Sequence, residues 1–334
     1  MPDEAEIPTA RALGLSRCDS GRMDVLSTLL PVVRLRAAAL GDDGRRWLEE
    51  LPAVVAELES RWLVTLDRSL SGGTAAYVAS GRSADGLPVV LKISVPDPAL
   101  RDEIGTLERA GGRGYVRLLA HDGPRRAMLL EALGPSLGAS RLGPEQQLRI
   151  LGALAATAWT VPRPATGPEA MPVNKAAELR DLVDGLWRAS EPECPRGVLD
   201  EALACADRRA TAFDPAICVA VHGDAAAANA LRVLESRAGA EAGFVFVDPD
   251  GFVGDPAYDL GVALRDWCPE LLASADPRAL IAGYAEALAA PTDLDPAAVR
   301  DWAYLERVST GLYARSLGAA DLSQPFLQSA AVLL

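Results

Sequence analysis

Two short apolar runs in residues 217–261 each end on an acidic turn. Residues 217–221 lead into His222-Gly223-Asp224, and Asn229 stands five residues after that Asp. Residues 244–247 lead into Asp248-Pro249-Asp250-Gly251, and Gly254-Asp255-Pro256-Ala257-Tyr258-Asp259-Leu260-Gly261 follows. Carboxylate and carboxamide oxygens are hard donors, which suit Mg2+ rather than zinc. His222 is the only imidazole nearby, and no Cys/His group has zinc spacing. One acid free of metal, one Asn and a second Asp are the parts phosphoryl transfer needs. Asp224 would orient or deprotonate a hydroxyl, while Asn229 and Asp248 would hold Mg2+ on nucleotide phosphates. Taken singly, each acid reads as a turn cap. The Asp-to-Asn spacing together with the second acidic turn singles them out.

The rest of the chain must position these groups. Residues 62–66, 75–79 and 88–93 read as strands, with Asp85-Gly86 as a hairpin turn before the third. Gly72 and Gly73 lie between the first two, where glycine backbone can approach phosphates closely, although a plain hairpin turn needs the same residues. The full Gly-x-Gly-x-x-Gly and the Walker A pattern are both missing. Lys92 interrupts the apolar third strand. It is either an edge-strand Lys with its head in water or the strand Lys that a kinase pairs with a helix Glu. The predicted helix over 97–110, with Asp97 as N-cap and Pro98 in its first turn, offers Glu103 and Glu108. Residues 115–119 and 127–130 read as two more strands, joined through Asp122-Gly123-Pro124. His121 reads as a turn residue.

Residues 45–61 carry apolar side chains at helical spacing. Residues 23–30 read as a short helix halted by Pro31, and Gly41–Gly44 as a turn or linker. Beyond Gly134 the chain is expected to be helical apart from the two acidic-turn strands. Helices are predicted over 144–160, 175–189 and 198–213, then through Val262–Trp267, near 277–289 and over 296–317.

The block His222-Gly223-Asp224 to Asn229, followed by Asp248-Pro249-Asp250-Gly251 and Gly254-Asp255-Pro256-Ala257-Tyr258-Asp259-Leu260, resembles the aminoglycoside phosphotransferase family. The resemblance runs from about Trp47 to near the C-terminus and is nearest to the streptomycin 6-phosphotransferase and hydroxyurea phosphotransferase branch. It implies an α+β, bilobal protein-kinase-like fold. An N-terminal segment (1–45) would precede an ATP-binding lobe (46–133) with a five-stranded antiparallel sheet and one helix, and a larger, mainly helical lobe (134–334). It implies ATP and Mg2+ as cofactors and an antibiotic hydroxyl as acceptor. By position, Asp224 matches the catalytic Asp, Asn229 and Asp248 match the Mg2+ ligands, and Asp259 braces the catalytic loop, with His222 also structural. Lys92 with Glu103, the Gly72-Gly73 turn, and a hinge at Glu131 to Leu133 whose backbone pairs with adenine would bind nucleotide. Acids on the C-terminal helices, among them Asp266, Glu270, Asp301 and Glu306, would face a cationic acceptor, although each also reads as a solvated acid. Relatives usually carry His-Gly-Asp-x-His-x-Gly-Asn. Here Ala226 and Ala228 replace the second His and the Gly, which puts substrate contacts or loop geometry in question.

The 334 residues carry a net charge of −13, which argues against nucleic acid or an anionic membrane as partner and is compatible with a small cationic one. Five scattered cysteines without a C-x-x-C, and an acidic N-terminus without a signal-peptide pattern, fit a reducing cytoplasm. A monomer or dimer is expected. Two other readings stay open at this level. The same chemistry could act on a nucleoside antibiotic, hydroxyurea or a sugar, or the chain could be a nucleotide-binding pseudokinase.

Overall fold

Apolar residues at helical spacing from Val25 to Leu58 build two helices, α1 (Pro31–Ala39) and α2 (Asp42–Trp62). In this computed structural model the described residues are 24–70, 73–98, 100, 102–190 and 194–334. Pro31 starts α1 rather than halting a helix before it, because proline lacks only an N–H that the first turn leaves unpaired. Of the turn or linker expected at Gly41–Gly44, the turn is present at Gly41 and the rest is helix. Gly41 makes a left-handed turn and α2 begins at Asp42, with Asp42 and Asp43 favourably placed at its N-terminus. Of the helix expected over 23–30, Met23 lies outside the described residues and Val25–Leu29 form turns.

Leu63, at φ 54°, caps α2 and turns the chain into a sheet. The strands are β1 (Val64–Ser69), β2 (Ala76–Ser83), β3 (Pro88–Ser94), β4 (Leu118–Asp122) and β5 (Ala127–Glu131). They form one antiparallel sheet in the order β1-β2-β3-β5-β4, so β3 is central. Lys92 lies opposite Val78 on one side and Met128 on the other. Val33, Leu51, Val55 and Leu58 pack against Tyr77, Leu91 and Ile93. Helix α3 (Glu103–Ala110) sets Leu107 against Met128 and Leu130.

Two elements differ from expectation for physical reasons. Helix α3 starts at Glu103, not Asp97, and its N-cap is Asp102, whose carboxylate accepts the Gly105 N–H at 2.9 Å. Asp97 is flanked by Pro96 and Pro98, which disfavours helix before the second proline. Its carboxylate instead takes Arg36 at 2.8 Å and its carbonyl takes Arg126 at 2.7 Å. The fourth strand is shifted to Leu118–Asp122, because Tyr115 and Val116 pair with Phe246 of the other lobe.

The second lobe holds α4 (Pro144–Ala158), α5 (Lys175–Ser190), α6 (Arg196–Thr211), α7 (Pro256–Arg265), α8 (Cys268–Ala273), α9 (Pro277–Ala289), α10 (Pro296–Ser316) and α11 (Ala320–Ala331). Four short strands lie between α6 and α7: β6 (Val219–Val221), β7 (Ala230–Arg232), β8 (Phe244–Phe246) and β9 (Phe252–Gly254). The expectation of two strands there missed β7 and β9, which are too short for a period to register. They pair as β6 with β9 and β7 with β8. Helix α10 is the core of this lobe, with Trp302, Leu305, Val308 and Leu312 buried. Gly261 permits α7 to cross it closely, since a Cβ there would stand 2.2 Å from Trp302 Cβ. Among the described residues, Cys194, Cys205, Cys218 and Cys268 are free thiols, and no helix is long and apolar enough to cross a membrane.

Candidate active site

The two small ladders bring the acidic turns together. Pairing of β7 with β8 sets Asn229, just before β7, beside Val247, just after β8, and the Val247 N–H donates to Asn229 O at 2.9 Å. Pairing of β6 with β9 brings the loop after Val221 beside Asp250 and Gly251, whose N–H groups both donate to His222 O. Asp224, Asn229 and Asp248 thus face one cleft of about 920 Å³, which Gly73, Lys92 and Glu103 also line. Gly72 lies outside the described residues.

His222 is the strut of this arrangement. It is fully buried, stacked on Tyr115 (5.8 Å, 2° between planes) and tilted against Phe246. Its Nδ1 accepts the Asp224 N–H at 3.1 Å and its Nε2 lies 2.9 Å from Val247 O. That pattern assigns the proton to Nε2. One ring therefore ties the Asp224 loop to the Asp248 loop. Asp259, on the first turn of α7 and also fully buried, accepts the His222 N–H at 2.8 Å, the Gly223 N–H at 2.9 Å and the Trp159 indole N–H at 2.9 Å. Gly223 makes the turn at φ 90°, where a Cβ would stand 2.7 Å from Asp250 Cβ. Gly223→Ala is expected to destabilise the protein by about 1–3 kcal/mol through backbone strain and crowding, measurable as a lower urea midpoint.

Lys92 is 8 % exposed at the centre of the sheet, which removes the edge-strand alternative. Its ammonium lies 2.6 and 2.7 Å from the two Glu103 oxygens and 2.7 Å from Asp248 Oδ1. Burial alone would lower this ammonium, but the Glu103 and Asp248 carboxylates outweigh burial and hold it above the ordinary lysine value. Glu108, the other helix acid, pairs with His121 instead. Asp248 sits in the left-handed region at φ 58°, uncommon for a residue with a side chain. Its side chain is half exposed to the cleft.

The donor set fits a hard cation. Asn229 Nδ2 donates to Asp224 O and to Asp224 Oδ2, both at 2.9 Å, so its amide oxygen is the atom left to face a metal. Asp248 has a second carboxylate oxygen beyond the one on Lys92. The Ala225–Ala228 run keeps the loop intact. The Asn229 N–H donates to Ala226 O, and none of the four alanines has a positive φ, so the absent Gly is not required by the backbone.

Arg265, at the end of α7, is the site residue that sequence reasoning missed. Its Nη2 lies 3.1 Å from Asp224 Oδ1, its Nε 3.0 Å from Asp266 and its Nη1 3.6 Å from Glu306. Burial would lower this guanidinium, yet the carboxylates of Asp266, Glu306 and Asp224 hold it charged. The available signal was one Arg closing the apolar stretch Leu260–Leu264. Of the acids expected to face an acceptor, Asp266 and Glu306 meet on Arg265, whereas Glu270 and Asp301 do not join them. Asp266 is exposed beside Arg265, and Glu270 is half-buried on α8. Glu306 is buried and accepts the Tyr258 hydroxyl at 2.7 Å. Asp301 joins Arg208 and Arg209 and lines a separate hollow. Glu131 ends β5, and Leu133 packs half-buried between two apolar clusters.

Residues 61–318 match the family model described as aminoglycoside/hydroxyurea antibiotic resistance kinase. The chain is 29 % identical over 293 residues to a streptomycin 6-kinase of Streptomyces glaucescens, covering 87 % of this chain and 92 % of that one. It is 30 % identical over 227 residues to a hydroxyurea phosphotransferase of Kitasatospora aureofaciens, covering 67 % and 64 %. Among solved structures, a spectinomycin phosphotransferase in complex with ADP and spectinomycin shares the fold with a TM-score of 0.54 at 13 % identity, covering 84 % of this chain and 92 % of that one.

Proposed function

The chain belongs to the aminoglycoside/hydroxyurea antibiotic resistance kinase family, and from that premise we propose that it transfers the γ-phosphoryl group of MgATP to a hydroxyl of streptomycin or a similar cationic antibiotic, inactivating it in the cytoplasm. The observation that carries this reading is the convergence of Asp224, Asn229, Asp248 and the Lys92–Glu103 pair on one cleft. The likeness to a streptomycin 6-kinase along most of both chains supports the choice of acceptor.

Glu103 holds the Lys92 ammonium at the cleft, where it would meet the α and β phosphates of a bound nucleotide. Asn229 and Asp248 would hold Mg2+, which when bound neutralises and orients the phosphates. Asp224 aligns the acceptor hydroxyl for in-line attack and accepts its proton. Arg265 and Asn229 each grip one Asp224 oxygen, so the carboxylate keeps its direction. Positioning supplies most of the rate, since well-oriented reactants reach effective molarities on the order of 10⁵–10⁸ M.

The test is to incubate the protein and MgATP with streptomycin, other aminoglycosides, hydroxyurea, nucleoside antibiotics and sugars. Mass spectrometry should show streptomycin gaining one phosphoryl group, and chelation of Mg2+ should stop the gain. Modification of another acceptor with streptomycin left untouched would overturn the acceptor assignment. Nucleotide binding without any transfer would favour a pseudokinase.

A further inference from the structure

The end of β5 carries an ion pair that the chemistry above does not use. Arg237, in the connection between β7 and β8, is 8 % exposed and is paired with Glu131. Its Nη2 binds Glu131 Oε1 and donates to Tyr115 O at 3.0 Å, and its Nε donates to Glu131 Oε2 at 3.3 Å. Its Nη1 donates to Gly112 O. A residue of the second lobe thereby grips the last residue of the sheet, just where the chain crosses between lobes.

What the gripped carboxylate does is specific. The Glu131 N–H donates to Arg117 O at 3.1 Å. In an antiparallel pair exchanging both bonds, the Arg117 N–H would return to the Glu131 carbonyl. It goes instead to the Glu131 side chain, Oε1, at 2.9 Å. The side chain stands in for its own main chain, and the carbonyl is left as an acceptor. Two residues on, a donor is left as well. The N–H groups of Glu131, Ala132 and Gly134 go to Arg117 O, Pro88 O and Arg232 O, whereas that of Leu133 enters none of these main-chain bonds. An acceptor and a donor two residues apart match the exocyclic amino group and adjacent ring nitrogen of adenine. A 6-oxo purine presents an acceptor in place of that amino group.

We propose that Arg237 is a positioning residue for the nucleotide base. By holding the Glu131 carboxylate on the Arg117 N–H, it keeps the hinge carbonyl open to an adenine amino group and sets a preference for adenine over 6-oxo purines. Without Arg237 the carboxylate loses its counter-charge, turns to water, and lets the Arg117 N–H close on the carbonyl. The inference rests on the kinase reading above.

Calorimetric titration of the whole chain with ADP and with IDP, both with Mg2+, separates the possibilities without an acceptor. Wild type is expected to bind ADP roughly five- to tenfold more tightly than IDP, the scale of one net hydrogen bond. In Arg237→Met, which keeps the apolar bulk of the stem, that ratio should fall to about twofold or less, chiefly through weaker ADP binding. Glu131→Ala, which leaves the Arg237 bonds to Gly112 and Tyr115 available, should collapse the ratio in the same way. Equal losses for ADP and IDP in both variants would overturn the proposal and leave the pair as a clamp between lobes. Equal binding of ADP and IDP by wild type would also overturn it. Binding of neither by wild type would overturn the kinase reading, and this inference with it.

Discussion

Asp224→Asn is expected to give a folded protein that binds MgATP normally and turns over about a thousandfold more slowly, within the usual range for loss of a general base. Asparagine keeps the shape of the side chain but not its charge. Asp224 is partly exposed at the cleft, so the fold loses little. Arg265 retains Asp266 and Glu306 as counter-charges, which leaves no buried cation unpaired. The comparison to make is kcat beside KM for ATP and the thermal midpoint, all on the same preparation. A variant that keeps wild-type kcat would remove Asp224 from the catalytic role, whatever its stability.

The largest effect on stability is expected at Asp259, a residue that never meets substrate. Its carboxylate takes three N–H donors from two places: the indole of Trp159 on the α4 side, and the consecutive main-chain N–H groups of His222 and Gly223. Burial pushes the carboxyl upward, against the pull of the His222 imidazole and those donors. Asp259→Ala leaves all three N–H groups unpaired in a site with no access to water. Each such group costs about 1–3 kcal/mol, so a total loss of roughly 3–5 kcal/mol is expected, a large part of the ~5–15 kcal/mol that stabilises a domain. Asp259→Asn should be intermediate, because one amide end would face an N–H donor instead of accepting from it. Urea unfolding curves give the ranking Asp, Asn, Ala in falling midpoint. Activity should fall along the same series, since the loop that Asp259 braces carries Asp224. Unchanged midpoints with lost activity would mean that Asp259 acts on the chemistry directly.

The site was legible where its determinants are local. Asp224 and Asn229 lie five residues apart on one loop, and the acidic turns follow apolar runs, so their pattern survives without knowledge of packing. Lys92 was legible as a cation inside an apolar strand, because a buried charge demands a partner. Which acid that partner is came from resemblance, and the fold places Glu103 there. Element edges were less legible. Asp97 and Asp102 are equally good caps by type, and what separates them is the proline on either side of Asp97 together with its pairing to Arg36 and Arg126. Glu306 shows the opposite failure. It reads as a solvated or substrate-facing acid, yet the crossing of α7 and α10 buries it against Tyr258.

The sequence by itself pointed to the class of chemistry, to three residues that the fold brings to one cleft, and to a sheet followed by helices. Those depend on residue type, short spacing and hydrophobic period, all of which are properties of a segment. The tertiary structure alone decided which charges meet. Arg265 reaches Asp224 across 41 residues, Arg237 reaches Glu131 across 106, and Lys92 reaches Asp248 across 156. The partner of a long charged side chain is set by how helices and strands cross, and no local period records that. The same holds for the Ala225–Ala228 run. By type it casts doubt on the loop, and only its backbone angles show that the loop stands without the glycine.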